Sequence, residues 1–150
     1  MIEISRVCAE DLGELLPLLR GYCDFYEVTP SDEQLLALAR ALIADPERDG
    51  VQLLARTGEE AVGFATIYWS WATTIASRIG VMNDLFVTPA ARGTGAAERL
   101  IDACLEECRR HGAAELTWQT APDNERAQRV YDRVGAQRSQ WVDYSLSVRP

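Results

Sequence analysis

The chain has 150 residues, enough for one domain with its own core, and its 47% hydrophobic and 25% charged content is that of an ordinary globular protein. Its 15 basic residues stand against 23 acidic ones, a net charge of −8 that speaks against nucleic acid as a partner and suits cationic substrates. Neither a signal-peptide core nor a run of apolar residues long enough to span a bilayer occurs, so no membrane is implied and the expected location is cytoplasmic.

Ile2 to Val7 alternates and predicts a short strand. Asp11 stands where it could cap the next helix, in which Leu12, Leu15, Leu16, Leu19, Tyr22 and Cys23 recur at helical spacing. That helix runs into an aromatic and acidic cluster, Tyr22-Cys23-Asp24-Phe25-Tyr26-Glu27. Ser31 and Gln34 form a capping box for a second helix, which Asp45-Pro46 stops. Val51–Arg56 and Ala61–Trp69 flank Thr57-Gly58-Glu59-Glu60 and predict a hairpin. Ser70 to Arg78 is polar and reads as a loop or strand end.

Ile79 to Val87 is apolar on both alternating faces, as in a strand covered on two sides. The helix after it carries an apolar stripe of Ala97, Leu100, Ile101, Cys104, Leu105 and Cys108, and Gly112 ends it. Glu115–Thr120 is a further strand, and the helical crossover makes it parallel to Ile79–Val87. Pro122 to Glu125 starts a helix with Ala127, Val130, Tyr131 and Val134 on one side; Gly135 ends it and Gln140–Leu146 gives a last strand. No linker or repeat interrupts the chain, so residues 1–150 read as a single α/β domain. Cys8, Cys23, Cys104 and Cys108 read as reduced, small apolar residues, and with the lone His111 they make no metal spacing.

The chemistry centres on Arg92-Gly93-Thr94-Gly95-Ala96-Ala97, between the Leu85-Phe86-Val87 strand end and a helix start. A glycine loop opening into a helix presents backbone N–H groups to an anion. A P-loop would need Lys after Gly95, and a dinucleotide fingerprint would need a small residue where Glu98 stands. The remaining pattern, [Q/R]-x-x-G-x-[G/A], resembles the acetyl-CoA pyrophosphate loop of the GNAT superfamily of N-acetyltransferases. Downstream, Asn124, Ala127, Tyr131 and Gly135-Ala136 match the spacing of that family's second motif. Within the superfamily the chain looks most like the diamine acetyltransferases and the small Hpa-type enzymes, although the diamine group often carries Glu where Asn83 stands here.

The resemblance implies a central mixed, mostly antiparallel β-sheet with a parallel splayed strand pair and flanking helices. It implies acetyl-CoA as co-substrate, no metal, and allows a homodimer. Arg92 with the N–H groups of Gly93, Thr94, Gly95, Ala96 and Ala97 would hold the pyrophosphate. Leu85, Phe86 and Val87 would face the acetyl and pantetheine groups, and Asn124 and Arg126 the nucleotide end. Asn124 reads equally as a plain helix cap.

The acceptor amine arrives almost wholly protonated: with a pKa near 10.4, only about one molecule in a few thousand is neutral at pH 7. A base must take that proton, a backbone N–H must meet the oxyanion, and an acid must protonate the departing thiolate. By the resemblance Tyr131 is the acid and also lies along the cofactor; packing alone would account for its place on an apolar stripe. Asp84 is the candidate base. Tyr22, Asp24, Phe25, Tyr26, Glu27, Asn83, Asp84 and Trp118 are candidate acceptor contacts, through ion pairing and cation–π contact. The expected activity is acetyl transfer to a primary amine of a small, cationic acceptor, the alternatives being a protein amine as acceptor or a non-catalytic acyl-CoA sensor.

Overall fold

Two long antiparallel hairpins set the frame. A computed structural model describes residues 1–150, which form two compact units, Met1–Gln119 and Thr120–Pro150. In the first unit β1 (Ile2–Arg6), β2 (Gly50–Thr57), β3 (Glu60–Ala72), β4 (Ser77–Val87) and β5 (Leu116–Thr117) lie side by side in chain order. The first three pairings are antiparallel, and β4–β5 is parallel, as the crossover through α3 (Ala96–His111) requires. The polar stretch from Ser70 to Arg78 is not an open loop. Strands β3 and β4 run on through it as far as the Ala72↔Ser77 pair and turn at a short 3-10 segment, Thr73–Ile75.

Alternation along the strands sends side chains to two cores. Leu54 and Phe64 join Val7, Leu15, Leu18, Leu19 and Ala39 beneath α1 (Leu12–Phe25) and α2 (Asp32–Ala44). On the other face α3 seals the sheet with buried Leu100, Ile101, Cys104 and Cys108. The approach is close on both sides. A Cβ on Gly21 of α1 would lie 2.7 Å from Phe86 Cζ, and one on Gly80 of β4 would lie 2.6 Å from Cys108 Sγ. Buried Glu107 of α3 ties down the sheet edge by accepting from Arg6 Nε at 3.0 Å and Nη2 at 2.5 Å.

The Ser31–Gln34 capping box forms in both directions, with Gln34 N–H donating to Ser31 Oγ at 3.1 Å and Ser31 N–H to Gln34 Oε1 at 2.8 Å. Asp11 stands at the N-cap of α1 but makes no capping bond there. Its Oδ2 accepts instead from the Cys8 N–H at 2.8 Å, and its Oδ1 from Arg56 Nη2 at 2.7 Å. A guanidinium and an earlier amide outcompete the helix for this carboxylate. All four cysteines are free.

In the second unit the one regular element is α4 (Glu125–Arg133), capped by Asn124, whose Oδ1 accepts from the Ala127 N–H at 3.2 Å. Gly135 follows with φ +80°, the left-handed conformation expected after a helix. The strand predicted over Gln140–Leu146 does not form: residues 136–150 carry no regular structure. The alternating pattern is present, but the segment joins no ladder of the sheet.

Candidate active site

The site begins with an extra residue in β4. Pairs run Phe86↔Phe64, Leu85↔Ala65 and Asp84↔Thr66, then jump to Met82↔Ile67, so Asn83 has no opposite partner and forms a bulge. A bulge sharpens the local twist and breaks the pairing pattern. The consequence appears on the other side of β4: its ladder to β5 covers only Gly80↔Leu116 and Val81↔Thr117. From Met82 to Val87, β4 is laddered on its β3 side alone. This is also why the strand expected over Glu115–Thr120 shrinks to two residues. The result is a splayed parallel pair, with the backbone of half-buried Leu85, Phe86 and Val87 along the opening.

That opening leads to the glycine loop. After Thr88-Pro89 the chain makes a 3-10 turn and then a tight loop, with Gly93 at φ +78° and Gly95 at φ +88° as the α3 N-cap. Both angles lie where a side chain would strain the backbone, and a Cβ placed on either glycine would meet nothing within 4 Å, so the space above the loop is open. Thr94 Oγ1 donates to the Ala91 carbonyl at 2.6 Å and pins the turn. The first helical bond is Arg99 N–H to Gly95 C=O, so the amides of Ala96 and Ala97 stand at the positive end of the helix dipole. Arg92, exposed, precedes the loop. The donor set fits a pyrophosphate: consecutive backbone N–H groups, room where a Cβ would intrude, and a guanidinium.

On the face that α1 covers, the bulge brings Asp84 to an aromatic wall. Tyr22 Oη donates to the Asn83 carbonyl at 3.2 Å, and its ring lies 4.9 Å from Tyr26 and 5.9 Å from Phe64. Phe25 packs edge-on against Tyr26 at 5.1 Å. Asn83 Nδ2 donates to Asp84 Oδ1 at 2.9 Å. Burial pushes the Tyr22 phenol well above its ordinary range, and the charge of Asp84 and the neighbouring Tyr26 push it further. Tyr68 of β3 is pushed up to about 12, by burial first and Asp84 second. Both phenols therefore stay protonated at any working pH and stand as neutral hydroxyls near one carboxylate. Opposite Asp84 across the strand pair, buried Thr66 Oγ1 accepts from Gln52 Nε2 at 3.2 Å.

Of the expected acceptor residues, Tyr22, Phe25, Tyr26, Asn83 and Asp84 thus form one cluster. Asp24 and Glu27 are exposed at the end of α1, where Glu27 N–H donates to the Asp24 carbonyl at 3.1 Å. Trp118 is half-buried immediately after β5. Tyr68 was not among the expected residues. Its signal was available, since counting by two along Ala61–Trp69 puts it on the face of Phe64 and Thr66. In the second unit, Tyr131 is half-buried on α4, Arg126 is exposed, and Asn124 makes the helix cap described above.

A mixed sheet splayed at its parallel pair, a glycine loop at a helix start below the opening and a carboxylate beside it define an acyl-CoA-dependent transferase fold. The Acetyltransferase (GNAT) family model matches residues 15–136, and the chain belongs to that family. It is an acetyl-CoA-dependent N-acetyltransferase. YhfO of Bacillus subtilis (strain 168), named an uncharacterized N-acetyltransferase, is 31% identical over 148 residues, covering 98% of each chain. A thialysine N-epsilon-acetyltransferase of Caenorhabditis elegans is 27% identical, over 88% of this chain and 81% of its own. The crystal structure of a probable acetyltransferase superposes with a TM-score of 0.85 at 27% identity, covering 99% of both chains.

Proposed function

We propose that the acceptor is a small, cationic molecule with a primary amine, and that Asp84 receives it. The observation that carries this reading is the position of Asp84: beside the splay of β4, half-buried, and flanked by Tyr22 and Tyr68. An ammonium group gains from a carboxylate and from aromatic faces together, whereas a neutral or anionic acceptor gains from neither. The thialysine enzymes among the relatives are named for an amine acceptor of this kind.

In this reading bound acetyl-CoA supplies an activated acyl carbon. Arg92 and the N–H groups of Gly93, Thr94, Gly95, Ala96 and Ala97 grip its pyrophosphate, and the backbone of Leu85, Phe86 and Val87 lines the acyl end. Asn124 and Arg126 serve the nucleotide end. Asp84 pairs with the incoming ammonium and takes its proton as the nitrogen becomes nucleophilic. The Tyr22 hydroxyl, bonded to the Asn83 carbonyl, and the Tyr68 phenol stand near that carboxylate, and Tyr131 returns a proton to the thiolate.

The test is a steady-state panel at fixed acetyl-CoA: diamines, amino acids with a side-chain amine, aminoglycosides, neutral amides, and peptides with a free N-terminus or Lys. The expected order places small cationic amines first in kcat/KM. Peptides outperforming every small amine would overturn the reading in favour of a protein acceptor. Acetyl-CoA binding without turnover on any amine would overturn it in favour of a sensor.

A further inference from the structure

Gln52 of β2 has only 3% of its surface exposed, and its amide is half used. Nε2 donates to the Thr66 hydroxyl oxygen on β3 at 3.2 Å, while Oε1 is buried without a hydrogen-bond partner. A buried acceptor without a donor is costly, because it has given up water and gained nothing. That oxygen has somewhere to point. With the amide nitrogen turned to β3, the oxygen at the other corner of the planar group turns toward β1. On that side Gln52 lines a cavity of about 210 Å³ between the end of β1, the start of β2 and the end of α2. The other inner walls are apolar: Val7, Leu42, Ile43, Pro46 and Val51. Exposed Arg6 and Cys8 mark the opening. No residue of this cavity belongs to the glycine loop or to the aromatic cluster at Asp84.

We propose that the cavity is a second binding site, for a small neutral molecule with an apolar body about the size of a benzene ring and one hydroxyl or N–H donor, which bonds to Gln52 Oε1. Size supports the body. A dry apolar cavity of about 150 Å³ holds benzene, so this one has room for a ring with a substituent. The wall chemistry supports the rest. Oε1 only accepts, so the ligand must donate. An ion would lose its hydration to aliphatic carbon, and the charge at the opening is already matched, since Arg6 holds Glu107 through Nε and Nη2. The Cys8 thiol is likewise engaged, donating to Asp11 Oδ2 at 3.1 Å. Water is the poorer occupant: it needs two to four polar partners, and these walls offer it few beyond Oε1.

NMR titration of the methyl-labelled protein with phenol and with toluene tests this, because the two probes match in size and differ in the donor. Phenol is expected to bind saturably, with a Kd of about 1 mM or below, and to move the methyl resonances of Val7, Leu42, Ile43 and Val51. It should bind roughly 2- to 13-fold more tightly than toluene, the worth of one hydrogen bond. In Gln52→Leu that order should reverse, because the phenol hydroxyl is then buried without an acceptor. Ile43→Trp fills the cavity from a half-buried wall and leaves the Gln52–Thr66 bond alone, so it serves even where Gln52→Leu does not fold. It should abolish binding of both probes, and phenol still binding to it overturns the proposal. Toluene bound as tightly as phenol by the wild-type chain overturns the role of Oε1. Shifts centred on other methyl groups overturn the location. Neither probe binding saturably up to its solubility overturns the site, leaving a cavity that takes water only.

Discussion

Asp84→Asn separates charge from shape at the proposed acceptor cluster. The substitution keeps the side chain's volume and a carbonyl oxygen for Asn83 Nδ2, now 2.9 Å from Asp84 Oδ1, but removes the negative charge. An ammonium about 4 Å from a carboxylate near a protein surface gains about 4 kcal/mol before desolvation. After desolvation a charge-assisted hydrogen bond retains about 1.5–3 kcal/mol, which corresponds to a fall in kcat/KM of roughly 10- to 150-fold. The pH profile carries the diagnostic information. As pH rises toward the amine's own pKa, near 10, the acceptor arrives neutral and needs neither an ion pair nor a base, so the variant's deficit should shrink. A second readout is independent of turnover: spectroscopic titration should show the Tyr68 phenol, now held up to about 12, moving down without reaching its ordinary value, because burial is the larger cause and remains. A deficit constant across pH would refute proton removal by Asp84. An unmoved phenol titration would refute its place beside Tyr68.

Three further outcomes are expected. Tyr131→Phe should lower kcat by about 10²- to 10⁴-fold while leaving acetyl-CoA affinity within a few-fold, and unchanged kcat in a folded variant removes Tyr131 from proton transfer. Gly80→Ala should cost about 1–3 kcal/mol in urea unfolding, because its Cβ would lie 2.6 Å from Cys108 Sγ and 3.1 Å from Ile67 Cγ2; with Cys108→Ala added, the loss should be smaller than the sum of the two single losses, and simple additivity would show that the clash relaxes elsewhere. Burial alone would raise the Asp11 carboxyl, but bonds from the Cys8 N–H and thiol and from Arg56 outweigh it and hold the group below its ordinary value. A depressed folded pKa stabilises above the unfolded value and is lost as pH falls through the folded one, so Asp11→Ala should destabilise at neutral pH and converge with wild type in strong acid. Parallel unfolding midpoints down to acid pH would contradict that linkage.

The glycine loop was legible because it is local. Arg92 to Ala97 is a continuous run whose chemistry depends on two glycines and the helix start that follows, and the Ser31–Gln34 box is equally self-contained. The aromatic cluster around Asn83 and Asp84 is not local. Tyr22 meets Asn83 across 61 residues of chain, through packing that no spacing rule encodes. Tyr68 escaped for a related reason: its importance comes from Asp84 on the neighbouring strand, not from its own neighbours in sequence. The segment Gln140–Leu146 shows the opposite failure. Its alternation states which side chains would be buried if it paired, and says nothing of whether an edge stands beside it.

Asn83 is the least legible residue of the site and organises most of it. Strict alternation along β4 would put Met82 and Asp84 on the same face. The bulge separates them: Met82, opposite Ile67, is buried, while Asp84, opposite Thr66, meets the tyrosines of the α1 side. The same extra residue stands where the β5 ladder has just ended, at Val81↔Thr117. Freeing the β4 edge beyond Val81 and aiming the Asp84 carboxylate are therefore two effects of one backbone event. Deleting Asn83 would leave Asp84↔Thr66 and Met82↔Ile67 as neighbouring pairs of a regular ladder, with each side chain still on its present face. The twist would relax, and the β4–β5 ladder could continue past Val81 into the opening. The expected variant unfolds at the same or higher urea concentration, yet binds acetyl-CoA at least about tenfold more weakly in calorimetry, a loss of about 1.4 kcal/mol. Unaltered affinity in the folded deletion variant would mean that the splay is set elsewhere, by the glycine loop or by α3, and that the bulge serves Asp84 alone.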